Sequence, residues 1–176
     1  MRRCYHLIDE GKTNEKLMGS LLRGLERQCH YGVMFIEWQR NRFSDDLIEF
    51  FWGKFEKYVT YSFQTRTSYM EHWARKGAFV FLMTSEMIEI LVDLSEGNLF
   101  FRDEFNQITC PFCDLCLFRK DGTLLLGTVS HEKIADLYLT EDEKSQLNVE
   151  AEFKKEKLEY ERAEIAKFTV PLYDEV

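Results

Sequence analysis

At 176 residues the chain is long enough to close one hydrophobic core without disulfides or metal. Hydrophobic residues make up 45% and aromatic residues 15%, enough burial to offset the ordering entropy of the chain, which excludes a disordered protein. Lys and Arg number 23 against 31 Asp and Glu, a net charge of -8; this argues against binding to nucleic acid or anionic membrane and suits a basic protein partner.

Arg2 to Ile8 reads as a first strand, closed by Asp9-Glu10-Gly11-Lys12. Thr13 or Asn14 then caps a helix on which Leu17, Met18, Leu21, Leu22, Leu25 and Cys29 recur at helical spacing. Gly19 and Gly24 weaken this helix intrinsically and suit close packing on a sheet. Tyr31 to Trp38, aromatic and β-branched, reads as a second strand. Ser44 caps the clearest helix. Asp45 and Asp46 fall in its first turn, where carboxylates complement the helix dipole, and Leu47, Ile48, Phe51, Trp52, Phe55, Tyr58 and Val59 form one apolar stripe. Helical spacing favours core over interface for that stripe.

Thr60 to Phe63 is expected as a short strand and Ser68 to Lys76 as a short helix carrying Tyr69, His72 and Trp73. His72 has no partner at the spacing of a general-base motif. From Ala78 to Thr84 the chain is continuously apolar, and Ile88, Ile90, Val92 and Leu94 then alternate with Glu89 and Asp93. This period of two predicts a hairpin over Ala78 to Leu94, although Met87, Leu91 and Leu94 also fit a helix opened by Ser85. Glu96-Gly97-Asn98 makes the next turn, and Leu99 to Phe105 is expected to return as an edge or irregular strand.

Leu115 to Arg119 and Thr123 to Val129 form a second expected hairpin, joined by Lys120-Asp121-Gly122, where Asp-Gly supplies the positive φ of a tight turn. Ser130 is read as the cap of a short helix with Ile134, Leu137 and Tyr138 on one face. Thr140-Glu141-Asp142-Glu143 is a capping box, predicted to open a polar helix over about 141–168. Its apolar positions are sparse, and Pro171 stops it before an acidic tail. The whole gives an α+β fold: a single globular domain over 1–176, an antiparallel sheet of hairpins, helices mainly on one face and a long C-terminal helix.

Five cysteines is an odd number, and no apolar stretch of signal-peptide length opens the chain. A cytoplasmic protein with reduced thiols is expected. Cys110, Cys113 and Cys116, with His131, have the residue types of a tetrahedral zinc site and define one reading, a small metal-binding regulatory protein. Against it, an extended strand turns Cys113 away from Cys110 and Cys116, which would share a face with Phe112 and Phe118. The same Cys-Pro-Phe-Cys resembles the redox motif of glutaredoxins and thioredoxins, but a strand follows it where that family has a helix. Ser130-His131-Glu132-Lys133 holds an S-x-x-K string without the companion motifs of serine acyl enzymes. The expectation is therefore no catalytic residue, no metal and no cofactor.

Phe118-Arg119-Lys120-Asp121-Gly122 through Gly127-Thr128-Val129-Ser130-His131-Glu132 resembles the C-terminal part of small bacterial immunity proteins, and the strand-helix-strand order at the N-terminus is similar to that of bacterial families in the same setting. The resemblance covers about a third of the chain and implies a non-enzymatic cytosolic protein that neutralises a cognate toxin by direct binding. It transfers no binding residue. From charge, the partner is expected to be basic, and the expected contacts are Asp45, Asp46 and Glu49 on the aromatic helix and Glu141, Asp142 and Glu143 at the capping box.

Overall fold

The computed structural model describes residues 2–7, 17–36, 43–66, 69, 76–102, 105, 107–147 and 153–155. Its strands are β1 (Arg3–Leu7), β2 (Tyr31–Ile36), β3 (Val59–Thr65), β4 (Lys76–Leu82), β5 (Cys113–Phe118), β6 (Leu124–Val129), β7 (Ile134–Leu139) and β8 (Phe153–Lys155). Its helices are α1 (Leu17–Leu25), α2 (Asp45–Phe55), α3 (Ser85–Leu94) and α4 (Glu141–Gln146). All eight strands lie in one sheet of order β3-β4-β2-β5-β6-β7-β1-β8, and every pairing is antiparallel.

This order explains why the helices share a face. Strands β1, β2 and β3 run in the same direction, each step moving towards the β3 edge, and β4 to β5 runs the opposite way towards the opposite edge. Parallel strands that are not neighbours need a crossover, and right-handed crossovers of these senses all put their helix on the same side. Accordingly Leu17, Met18, Leu21, Leu22 and Leu25 of α1, Phe55 of α2, and Met87, Ile88, Leu91 and Leu94 of α3 enter one cluster with Met34, Phe81, Leu115, Leu117 and Leu137 of the sheet. The fold is α+β, with the helices on one face of an antiparallel sheet.

Ser44 caps α2 as expected, its side chain accepting from Leu47 N, but the helix stops at Phe55. Tyr58 closes a single 3₁₀ turn and Val59 opens β3. The hairpin of β5 and β6 is also present, with Gly122 at φ 76° in its turn.

Four expectations are corrected. Ala78 to Leu94 is not a hairpin: β4 ends at Leu82, the Thr84 side chain accepts from Met87 N, and α3 follows. Both periods fit the apolar positions, and the cap together with a sheet face awaiting cover decides for the helix. Leu99 to Phe105 is not an edge strand; Leu99, Phe100 and Phe101 are buried in the helix-side core, and a single bridge pairs Arg102 with Ile108.

Ile134, Leu137 and Tyr138 are not on a helix, because β7 runs through them with a period of two. Ala135, Leu137 and Leu139 enter the helix-side core, while Ile134 and Tyr138 lie on the other face. The capping box opens only the short α4, which ends at Gln146; Leu147 turns extended and is buried, and Phe153–Lys155 pair with β1 as β8. The described residues do not support one long helix over 141–168. With so few apolar positions, a single buried leucine and an edge pairing contribute more than a solvated helix would. The expected cap at Thr13 or Asn14, most of the helix expected over Ser68 to Lys76, and the acidic tail lie outside the described residues.

Candidate functional site

The acidic residues expected to meet a partner are at two separate places. Asp45, Asp46 and Glu49 are exposed on the first turns of α2. Phe50 beside them is 57% exposed, and the Lys54 ammonium lies 5.2 Å from its ring centroid. Behind them Trp52 anchors the helix, its ring 5.1 Å from that of Phe79 on β4. With α3, this part of the helix layer presents Asp45, Asp46, Glu49, Glu86, Glu89 and Asp93, of which Glu86, Glu89 and Asp93 are paired with Lys57, Arg23 and Lys54 at 3.2, 3.0 and 3.9 Å.

Glu141 and Asp142 are exposed on α4, which adjoins β7. Four strand spacings, roughly 19 Å, separate β4 from β7, so the structure does not bring the two acidic groups together. Glu143 has another engagement. It closes the capping box with Thr140 and takes both Arg119 donors, Nε at 3.0 Å and Nη2 at 2.9 Å. Arg119 also donates to the carbonyls of Leu124 and Tyr138 at 2.9 and 2.6 Å, tying α4 to the sheet. Burial alone would raise the Glu143 carboxyl, but the bonds from Arg119 and Thr140 outweigh it and hold the group below the ordinary glutamate range.

The face of the sheet away from the helices carries a polar cluster that sequence reasoning missed. The register sets Val33, Cys116, Gly127, Asp136 and His6 in one row across β2, β5, β6, β7 and β1. Asp136 is fully buried; His6 Nδ1 is 2.6 Å from its Oδ1, and the Tyr69 hydroxyl donates to its Oδ2. The Tyr69 and Tyr138 hydroxyls are 2.9 Å apart. Burial first, and then the Asp136 charge, pushes the Tyr69 phenol far above its ordinary range, and burial likewise raises Tyr138. Both therefore remain protonated donors at neutral pH. The visible signals were an aspartate inside an apolar strand and a glycine opposite it, and a helical reading of Ser130 to Tyr138 hid both.

A second buried group holds the start of β5. Asp114 sits at φ 54° in a bulge where Val33 faces Cys116 and Phe35 faces Cys113. Its carboxylate accepts from Lys76 Nζ at 3.1 Å and from Ser130 N at 2.7 Å, while Asp114 N donates to Ser130 Oγ at 3.1 Å. Ser130 is thus a buried serine whose hydroxyl and amide both engage Asp114.

Cys113 lies opposite Cys116 as expected, but Cys110 is not on the face of Cys116, because residues 110–112 precede β5 and do not continue its alternation. Cys110 joins Phe112, Leu115 and Leu117 on the helix side, where Cys113 also packs, and Cys116 joins Phe118 on the other side. His131 lies exposed in the turn before β7. No group of three His, Cys, Asp or Glu able to hold a metal ion occurs among the described residues. Burial pushes the Cys29, Cys110 and Cys116 thiols up to about 12. No helix of the described residues is long and apolar enough to cross a membrane.

Comparison with protein-family models, with curated proteins and with solved structures gives no match.

Proposed function

We propose that the protein is a non-enzymatic binding protein, a cytosolic immunity protein that neutralises a cognate basic bacterial toxin by direct contact. The observation that supports this reading is the exposed acidic start of α2, where Asp45, Asp46 and Glu49 stand together, whereas Glu86, Glu89 and Asp93 of α3 are paired with Lys57, Arg23 and Lys54. Such a surface attracts a cationic partner over a Debye length and discriminates against acidic ones. The resemblance of Phe118 to Glu132 to immunity proteins supplies the biological setting.

This reading expects a secreted toxin domain encoded beside its gene, and the test is co-expression with that domain. Wild-type protein should restore growth and bind the purified domain, with affinity falling as salt rises. Reversal of Asp45, Asp46 and Glu49 to Lys, alone and with Glu141 and Asp142, should weaken binding and flatten its salt dependence. Failure of the wild type to bind or protect would refute the immunity reading. Salt-insensitive binding, unchanged by charge reversal, would refute electrostatic capture.

A further inference from the structure

Three glycines inside regular elements are accounted for by close packing. A Cβ on Gly24 would lie 2.5 Å from Leu147 and one on Gly127 2.5 Å from the Tyr69 ring, while one on Gly32 would collide with Phe81. Gly53 of α2 is different. Among the described residues nothing lies within 4 Å of the position its Cβ would take. Nor does its backbone call for glycine, since the described glycines with positive φ are Gly97 and Gly122. The helix continues past it to Phe55. Inside an exposed helix glycine is less stable than alanine, so the fold bears a cost at Gly53 that no contact among the described residues repays.

Helical spacing sets Asp46, Glu49, Phe50 and Gly53 on the side of α2 opposite the Phe55 side chain. One exposed phenylalanine is ordinary on a protein surface. Beside an unexplained glycine it forms a pair, a projecting ring and an adjoining flat spot. Such a pair suits a partner whose backbone comes to van der Waals distance of the helix while its pocket takes the ring. The surrounding charge decides the partner's sign. Asp45, Asp46 and Glu49 are exposed; Lys57 reaches back to Glu86 of α3 at 3.2 Å, and Lys54, 3.9 Å from Asp93, also lies 5.2 Å from the Phe50 ring centroid.

We propose that this side of α2 is the docking surface, that Phe50 is its anchor, and that Gly53 admits the close approach of a protein segment bearing Lys or Arg around an apolar pocket. The inference rests on the toxin-binding reading and names the surface that reading requires. Titration calorimetry with the neighbouring toxin domain, alongside thermal unfolding, tests wild type, Gly53→Ala and Phe50→Ala. Gly53→Ala should melt about 2–4 °C higher, yet bind about tenfold or more weakly. Phe50→Ala should melt like the wild type and lose at least as much affinity. If wild type binds and both variants bind equally well, the α2 surface is wrong while toxin binding stands. If Gly53→Ala melts lower, the glycine serves the fold and the inference falls. If the wild type does not bind, the toxin reading fails and takes this surface with it.

Discussion

Lys76 and Asp114 form an ion pair inside the protein, with Nζ 3.1 Å from Oδ2 and side chains only 3% and 6% exposed. They belong to β4 and β5, which are not neighbours, so the lysine reaches across the end of β2. Desolvating two charges is costly, and the pair persists because the other Asp114 oxygen accepts from the Ser130 amide. Removing one partner strands the other. Lys76→Met is expected to cost ~3–5 kcal/mol in urea unfolding, and Lys76→Met with Asp114→Asn appreciably less, since Asn keeps an acceptor for Ser130 N. A Lys76→Met cost below about 1 kcal/mol would show the pair to be irrelevant to stability.

Tyr69 fills the space that a side chain at position 127 would need, its ring atoms lying 2.5 to 2.7 Å from the Cβ site. The ring cannot retreat freely, because its hydroxyl is bonded to the buried Asp136. Gly127→Ala is expected to cost ~1–3 kcal/mol through overpacking. The same substitution in a Tyr69→Ala background should cost little. Thermal unfolding of the four proteins gives the coupling, and additive costs would mean that the alanine is accommodated by moving something other than Tyr69.

What the sequence revealed was local. The Ser44-Asp45-Asp46 start of α2, the Asp121-Gly122 turn and the Thr140-Glu143 box each act within four residues, and all three formed. What it concealed depends on distant partners. Asp136 is tolerable in a strand because His6, 130 positions away, and Tyr69, 67 positions away, satisfy it; no local pattern announces such a pairing. The positive φ of Asp114 likewise has no local signal, since the partners that hold it, Lys76 and Ser130, come from β4 and from the turn after β6.

Glu143 gives the fold an acid-sensitive contact. Its carboxyl is held below the ordinary value of 4.5 because, against burial, Arg119 and Thr140 favour the charged form. The folded state therefore binds this proton less readily than the unfolded chain. The stabilisation is complete above the ordinary glutamate value and is lost as pH falls through the depressed one. Glu143→Gln should melt below the wild type at pH 7, and the gap should narrow steadily on acidification beneath the glutamate range. A gap independent of pH would assign the effect to capping geometry alone.

The last prediction concerns the thiols. Cys29, Cys110 and Cys116 are buried, and burial raises each to about 12 from an ordinary value of 9.0. The neutral thiol is what the fold favours, so the stabilisation is present below pH 9 and is lost as pH rises towards 12. At pH 8 the nucleophilic thiolate is scarce in the folded state, and a disulfide reagent should reach these three only through unfolding. Cys113, partly exposed, should react first. Because Cys113 lies with Leu115 and Leu117, away from Cys116, Cys113→Ser should cost about 1 kcal/mol or less. A strong chelator should then leave the melting temperatures of wild type and mutant unchanged. A metal site would respond otherwise, since losing a ligand forfeits binding energy that is also folding energy. Chelator-induced unfolding of the wild type, absent in an already destabilised Cys113→Ser, would mean that the cluster gathers around an ion and that the face assignment of Cys116 is wrong.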